Sequence, residues 1–164
     1  MKEIYCDINL CMACRSCELA CAVEHSKVKS LAGAVNETPR PKQRVHVLGM
    51  KGRPLPLSCR HCDDPACVKA CMAGVMKKSP KTGTVESNPD KCVGCFMCVM
   101  VCPYGAITPV LEMKKVAKCN HCEDKEGEKA CVSACPTGAL FYGEPAEFEE
   151  CLKKRKQVSA GKGA

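Results

Sequence analysis

The residues best equipped for chemistry in this chain are its cysteines, eighteen among 164 residues. Sixteen fall into four groups of four. Group one is Cys11, Cys14, Cys17 and Cys21, spaced C-x2-C-x2-C-x3-C, and group two is Cys59, Cys62, Cys67 and Cys71, spaced C-x2-C-x4-C-x3-C. Group three, Cys92, Cys95, Cys98 and Cys102, repeats the first spacing and runs directly into Pro103. Group four is Cys119, Cys122, Cys131 and Cys135, spaced C-x2-C-x8-C-x3-C, with Pro136 next. The thiolate is the metal-binding form of cysteine, so runs of this kind hold metal wherever the surroundings keep thiols reduced.

A 4Fe-4S cube takes one thiolate per iron. A C-x2-C-x2-C loop wraps three corners with one short segment, and the fourth ligand comes from elsewhere. In the bacterial run C-x2-C-x2-C-x3-C-P, the last cysteine serves the other cluster of a pair. CVGCFMCVMVCP of group three has that pattern. Four occurrences of related spacing point to this chemistry, where a lone C-x2-C says little. Structural zinc uses two C-x2-C knuckles set well apart, which these runs of four are not. A disulfide framework requires an oxidising compartment and cysteines far enough apart to pair. The N-terminus reads MKEIYCDINLC, with no apolar h-region, cleavage site or twin arginine. No apolar run approaches the roughly 20 residues of a membrane span. The expectation is a cytoplasmic protein with four 4Fe-4S clusters and no membrane span of its own.

Three Phe, three Tyr and no Trp leave the interior short of bulky side chains, so the clusters are expected to take the place of an ordinary core. The formal charge of +7 counts every cysteine as neutral. Four oxidised clusters with four thiolates each contribute about −2 per site and bring the holoprotein near −1, so the basic character belongs to the iron-free chain. His61 in CRHC and His121 in CNHC sit inside the cysteine loops. A Rieske-like ligand role is one reading. Sixteen thiolates already fill four cubes, which favours hydrogen bonding beside cluster sulfur, with plain loop packing the other reading. His25 and His46 carry no usable pattern. Cys6 and Cys151 lie outside the quartets and read as free, partly buried thiols. The KKRK of residues 153–156 reads as a solvated helix end, with docking to an acidic partner the sharper alternative.

The elements that must position these loops are short. GAITPV after group three matches GALFYG after group four, AGVMKK after group two is a looser copy, and TGTVESNPDKC leads into group three. These are strand-like runs with turn residues, an internal repeat of hairpins around each site. Short helices are expected to start near the last cysteine of each group, where ELACAVEH and PACVKACM lack breakers. Residues 26–58 hold a Pro- and Arg-containing insertion in which QRVHVLG and RPLPLS can pair around GMKG. PAEFEECLKKRK reads as a helix with Pro145 early, acids first and bases last, followed by a disordered QVSAGKGA.

With the quartets placed, the chain resembles the four-cluster subunits related to the iron-sulfur subunits of dimethyl sulfoxide reductase, formate dehydrogenase and hydrogenase complexes. CRSCELACAVEHSK and PLSCRHCDDPACVKAC are most similar to the CooF-type ferredoxins of carbon monoxide dehydrogenase systems. The resemblance spans residues 3–145. It implies an α+β fold of two bicluster ferredoxin-like modules related by pseudo-twofold symmetry, with short β-hairpins and short helices around four clusters. The implied modules are residues 1–25 plus 113–145, holding groups one and four, and residues 55–112, holding groups two and three. Residues 26–54 are then an insertion, and residues 145–164 a C-terminal helix and basic tail. The quartets are implied to nest as Cys11, Cys14, Cys17 with Cys135; Cys119, Cys122, Cys131 with Cys21; Cys59, Cys62, Cys67 with Cys102; and Cys92, Cys95, Cys98 with Cys71. Spacing alone does not prove nesting.

The function implied is relay of single electrons between a redox enzyme, with carbon monoxide dehydrogenase leading, and a second oxidoreductase. Formate dehydrogenase, hydrogenase, and aldehyde or flavin-dependent oxidoreductases are the other partners considered. A catalytic subunit would need a nucleotide, flavin or molybdenum motif, and the glycines form no G-x-G-x-x-G or P-loop run. An iron-sulfur nucleic-acid-binding regulator is the remaining class. No helix-turn-helix or aromatic stacking platform supports it, so no nucleic-acid partner is expected.

Overall fold

Strands of three to five residues and helices of mostly one turn surround the cysteine loops in the computed structural model, which describes residues 2–50, 52–123 and 127–160. The strands are β1 (Glu3–Cys6), β2 (His46–Met50), β3 (Arg53–Leu57), β4 (Met76–Lys78), β5 (Val85–Ser87), β6 (Ile107–Val110), β7 (Lys115–Lys118) and β8 (Leu140–Gly143). They pair antiparallel as four separate ribbons, β1 with β8, β2 with β3, β4 with β5 and β6 with β7. The helices are α1 (Ser16–Glu24), α2 (Leu31–Asn36), α3 (Ala66–Lys69), α4 (Met97–Met100), α5 (Ala130–Ser133) and α6 (Pro145–Ala160). This is the expected α+β class of short hairpins and short helices.

The repeat read from AGVMKK, GAITPV and GALFYG is a shape as well as a sequence. Three residues past the fourth cysteine of groups two, three and four lies a glycine with φ near +60°, Gly74, Gly105 and Gly138. Each closes a turn on that cysteine, its N–H bonding the carbonyl of Cys71, Cys102 or Cys135 at 3.0 to 3.2 Å. Strands β4, β6 and β8 start within two residues of the glycine. Left-handed backbone is cheap only without a Cβ, which accounts for the glycine.

The helices sit earlier than the sequence predicts. Helices α3, α4 and α5 enclose the third cysteine of their groups, Cys67, Cys98 and Cys131, and end before the fourth. Only α1 runs on through its fourth, Cys21. One turn of helix is what x3 spacing allows, and it sets residues i and i+4 side by side at different heights. The third and fourth cysteines can then face neighbouring sites.

Helix α1 packs on α5, and α3 packs on α4. These contacts and the β1–β8 ribbon bring the first and last quarters of the chain together around the middle. The predicted hairpin of the insertion forms as β2–β3, in register from His46 with Leu57.

Helix α6 has Pro145 at its first position, and Glu147 Oε2 accepts the N–H of Glu144 at 2.8 Å, closing the N-terminus. Phe148 stacks on Tyr5 at 5.0 Å and meets Phe141 at 5.9 Å, so the helix lies on the β1–β8 ribbon. Arg155 pins its far end, donating to the Gly138 carbonyl at 2.8 Å and pairing with Asp7 at 3.5 Å. KKRK is therefore not wholly a solvated end. The helix also continues through residues 157–160, where disorder is predicted, because Gln157 to Ala160 contain no breaker ahead of Gly161. The rest of that tail lies outside the described residues.

Cysteine supplies much of the buried core, with Cys17, Cys21, Cys59, Cys98, Cys119, Cys122 and Cys131 among its most enclosed members. Two-stranded ribbons are marginal alone. Stripping iron with a chelator under reducing conditions is accordingly expected to abolish most of the native far-UV circular dichroism. Native-like dispersion in the NMR spectrum of the iron-free protein would show that the ribbons hold the core unaided.

Candidate metal centres

In each of the four Cys-x-x-Cys loops the residue before the second cysteine is left-handed: Ala13, His61, Gly94 and His121 have φ of 57°, 46°, 74° and 55°. Arg15 and Phe96, which precede α1 and α4, repeat that conformation at 59° and 56°. In the loops of groups one and three the hand alternates about Cys14 and Cys95, the backbone pattern of an anion-binding nest, whereas in the group four loop Cys122 is left-handed as well, at 48°. Histidine is among the types that adopt left-handed backbone readily. At Gly94 a side chain is excluded, since a Cβ would sit 2.5 Å from the Lys114 carbonyl oxygen.

Two cavities each gather four of these cysteines. One cavity is lined by Cys11, Cys14, Cys17 and the distant Cys135, beneath Arg15 and Thr137. A second is lined by Cys92, Cys95, Cys98 and the distant Cys71, beside Val93 and Phe96. The Cys131 thiol is pushed up by burial and then by Cys119, Cys21 and Cys122 around it. Cys67 is raised by burial and by Cys59 and Cys102, with Lys118 opposing. Cys62, half-buried, is in the same loop as Cys59.

The sets adjoin in a fixed order. One core cluster joins Cys17 and Cys135 to Cys21 and Cys131. A second joins Cys71, Cys92 and Cys98 to Cys67 and Cys102. The third holds Cys59 and Cys102 against Cys119, with Ala106 between the loops. With Cys135, Cys71, Cys21 and Cys102 counted with the loops they face, the set at the group one loop adjoins that at group four, that at group four adjoins that at group two, and that at group two adjoins that at group three. Cys14 and Cys95, in the loops of groups one and three at the two ends of this order, are exposed, whereas Cys21, Cys59, Cys119, Cys122 and Cys131 are buried.

Burial pushes the Cys17 and Cys98 thiols up to about 11 and Cys119 to about 12. Desolvation penalises an isolated thiolate. A cationic iron core beside four thiolates reverses that penalty, and the pull of the sulfurs on backbone N–H groups is in place for it. Cys71 Sγ accepts from Val75 N at 3.2 Å and Cys102 Sγ from Ala106 N at 3.4 Å, each four residues on. At Cys135 burial is outweighed by hydrogen bonds from the Leu140 backbone and Thr137 side chain, which hold the thiol below its usual range. Because α1 continues past Cys21, that sulfur instead accepts from Arg44 N of the insertion, at 3.2 Å. The donor set and its amides fit 4Fe-4S clusters.

The loop histidines meet. His61 and His121 are almost wholly buried, their ring centroids 4.0 Å apart, and His61 Nδ1 accepts from Val85 N at 2.8 Å. Burial, and then Lys118, push His61 down to about 2 and His121 to about 4, so both rings are neutral. His61, Cys119 and His121 place one donor atom each within 4.8 Å of one another. A mononuclear ion there would have to withdraw Cys119 from its set of four. His25, without pattern in the sequence, bonds the Cys21 carbonyl at 2.7 Å through Nδ1, and His46 meets Thr108 Oγ1 at 2.7 Å. Cys6 and Cys151 line one groove with Leu10 and Phe148, and burial, then Cys11, push the Cys6 thiol up to about 12. The buried residue that sequence reasoning misses is Lys118. Its signal is the strand period of KVAK, which puts Lys118 on the inward face with Val116.

The 4Fe-4S dicluster domain family matches residues 50–145, and a 4Fe-4S binding domain matches residues 8–24. The protein belongs to the 4Fe-4S dicluster family, a class of ferredoxin-type proteins whose cofactor is the 4Fe-4S cluster. It is similar to the electron transport protein HydN of Escherichia coli (strain K12), 31% identical over 97% of both sequences. An iron-sulfur protein of Rhodospirillum rubrum is 38% identical over 93% of this sequence and 87% of that one. A subunit of the anaerobic dimethyl sulfoxide reductase of Escherichia coli (strain K12) is 34% identical over 94% of this sequence and 77% of its own. The protein is thus a non-catalytic iron-sulfur electron-transfer protein of the kind these relatives represent. No helix among the described residues is long and apolar enough to cross a membrane.

Gly94→Ala is expected to cost at least about 1 kcal/mol for the left-handed backbone, plus the collision with Lys114. It should lower the temperature at which iron is released well below that of Gly105→Ala, whose added Cβ meets open space at φ 61°. Equal release temperatures would mean that the close approach at Gly94 does not constrain the loop.

Proposed function

We propose that the protein relays single electrons through four 4Fe-4S clusters between two oxidoreductase partners. The ligand sets are Cys11, Cys14, Cys17 and Cys135; Cys119, Cys122, Cys131 and Cys21; Cys59, Cys62, Cys67 and Cys102; and Cys92, Cys95, Cys98 and Cys71. The observation that carries the reading is the order of the sets, whose shared core clusters make an unbranched row with one exposed cysteine loop at each end. Residues 1–25 plus 113–145 then make one bicluster module and residues 55–112 the other, related by pseudo-twofold symmetry. The packing of α1 on α5 and of α3 on α4 favours that division.

A bound 4Fe-4S cluster supplies a one-electron couple, on the order of −400 mV in ferredoxins. The protein supplies the rest. Amides of Val75, Ala106 and Arg44 hold negative charge on Cys71, Cys102 and Cys21. Burial of Cys21, Cys59, Cys119, Cys122 and Cys131 excludes water from the middle of the row. The exposed Cys14 and Cys95 loops present its ends to partners. Apolar rims favour close approach there, with Met12 beside Cys14 and Val93 and Met97 beside Cys95. Met12 and Val93 are 64% and 69% exposed.

A dimethyl sulfoxide reductase subunit among the relatives supports an oxidoreductase complex as the setting. Carbon monoxide dehydrogenase as the donor rests on the resemblance of residues 14–27 and 56–71 alone, and copurification from the native host tests it against formate dehydrogenase, hydrogenase, and aldehyde or flavin-dependent oxidoreductases. A cytoplasmic location belongs to the same proposal.

Anaerobically prepared protein is expected to contain about sixteen iron and sixteen acid-labile sulfide per molecule, with interacting S = 1/2 signals on reductive titration. Roughly eight irons at full occupancy, or zinc in their place, would overturn the four-cluster reading. Cys98→Ala should destroy or convert one cluster, and an EPR spectrum of four intact cubanes in that variant would refute its ligand set.

A further inference from the structure

The most unusual polar group in the molecule is the ammonium of Lys118. The residue is 2% exposed, and its Nζ donates to the backbone carbonyls of Val85 and Cys119, the latter at 2.9 Å. Among the described residues no carboxylate pairs with it. Carbonyl oxygens alone do not repay removal of a full charge from water, so a buried ammonium needs negative charge nearby.

Its position is specific. Lys118 ends β7 immediately before the group four loop, and Val85 ties it to the group two loop by accepting from Lys118 while donating to His61 at 2.8 Å. His61 and His121, one from each loop, meet with ring centroids 4.0 Å apart and planes tilted by 51°. The charge bears on Cys67 of one middle set and on Cys119 of the other. Those two sets touch each other through Cys59 and Cys119.

We propose that Lys118 is the shared counter-charge of the two middle 4Fe-4S sites, held where their cysteine loops meet so that both sites accept an electron more readily. The inference rests on the four-set reading above. Two adjacent sites that each carry net negative charge repel, and a reduced neighbour makes the next reduction harder. A fixed cation between them offsets that repulsion for both.

The test compares Lys118→Met, which keeps the length and removes the charge, with Lys118→Arg, which keeps the charge. Iron and sulfide are counted first, and midpoint potentials are then followed by EPR through a reductive titration. With full iron in both variants, two of the four potentials should fall in Lys118→Met while the other two stay, and Lys118→Arg should leave all four near the unsubstituted values. If Lys118→Met instead loads about half the iron and Lys118→Arg loads fully, the charge is required to assemble the middle sites, which also supports the proposal. Unchanged potentials in a fully loaded Lys118→Met protein overturn it. Equal defects in the two variants overturn it as well, since they would show that Lys118 acts by shape. An unsubstituted protein lacking four clusters would instead mark failure of the four-cluster reading.

Discussion

A thiolate carried into low dielectric loses its water and keeps its charge, and this protein does that repeatedly in a very small volume. Cys119 and Cys131 show the consequence, since burial and neighbouring cysteines push both thiols far up. The remaining features of the structure are ways of making sulfur acceptable there. Left-handed loop residues turn amides inward, glycines after the fourth cysteine return the backbone to a strand, and one turn of helix separates the third cysteine from the fourth. The apolar side chains are few because much of the interior belongs to sulfur.

That constraint also explains why the elements are so short. Ribbons of three to five residue pairs cannot carry a core of their own. Their task is to fix the ends of the cysteine loops, and the β1–β8 ribbon does it by joining the two termini of the cysteine-rich region. The insertion contributes in the same terms. Where α1 runs past Cys21 and uses up the local turn, Arg44 brings the missing amide from across the fold. Helix α6 lies on β1–β8 through Phe148, which meets Tyr5 of β1 and Phe141 of β8, so that three of the six Phe and Tyr rings gather there.

The middle of the molecule is organised differently from its ends. At the ends, Cys14 and Cys95 reach the surface among exposed methionine and aliphatic side chains. In the middle, two histidines and a lysine are enclosed almost completely: His61 and Lys118 both bond the backbone of Val85, and the ring of His121 lies against that of His61. A row of redox sites needs both arrangements, one to admit a partner and one to exclude solvent.

Cysteine spacing was legible without coordinates because it is local: four donors within 11 to 17 residues already dictate what kind of metal site they can form. The hairpins were legible too, from GAITPV and GALFYG, since strand alternation and turn glycines act over a few residues. Helix positions were misjudged because a breaker-free run says where a helix is allowed, whereas the sulfur geometry says where it must stop. Which distant cysteine faces which loop is not local at all, and it is expressed in the packing of α1 on α5 and α3 on α4. Lys118 shows the same division. Its inward register is written in KVAK, but the value of a buried charge depends on the sulfurs around it, and these come from segments more than 50 residues apart, such as Cys67 and Cys119. Local spacing chose the chemistry, and tertiary packing decided which cysteine loops adjoin and that Lys118 is buried among them, because electrostatic neighbours in a folded protein are set by distance in space.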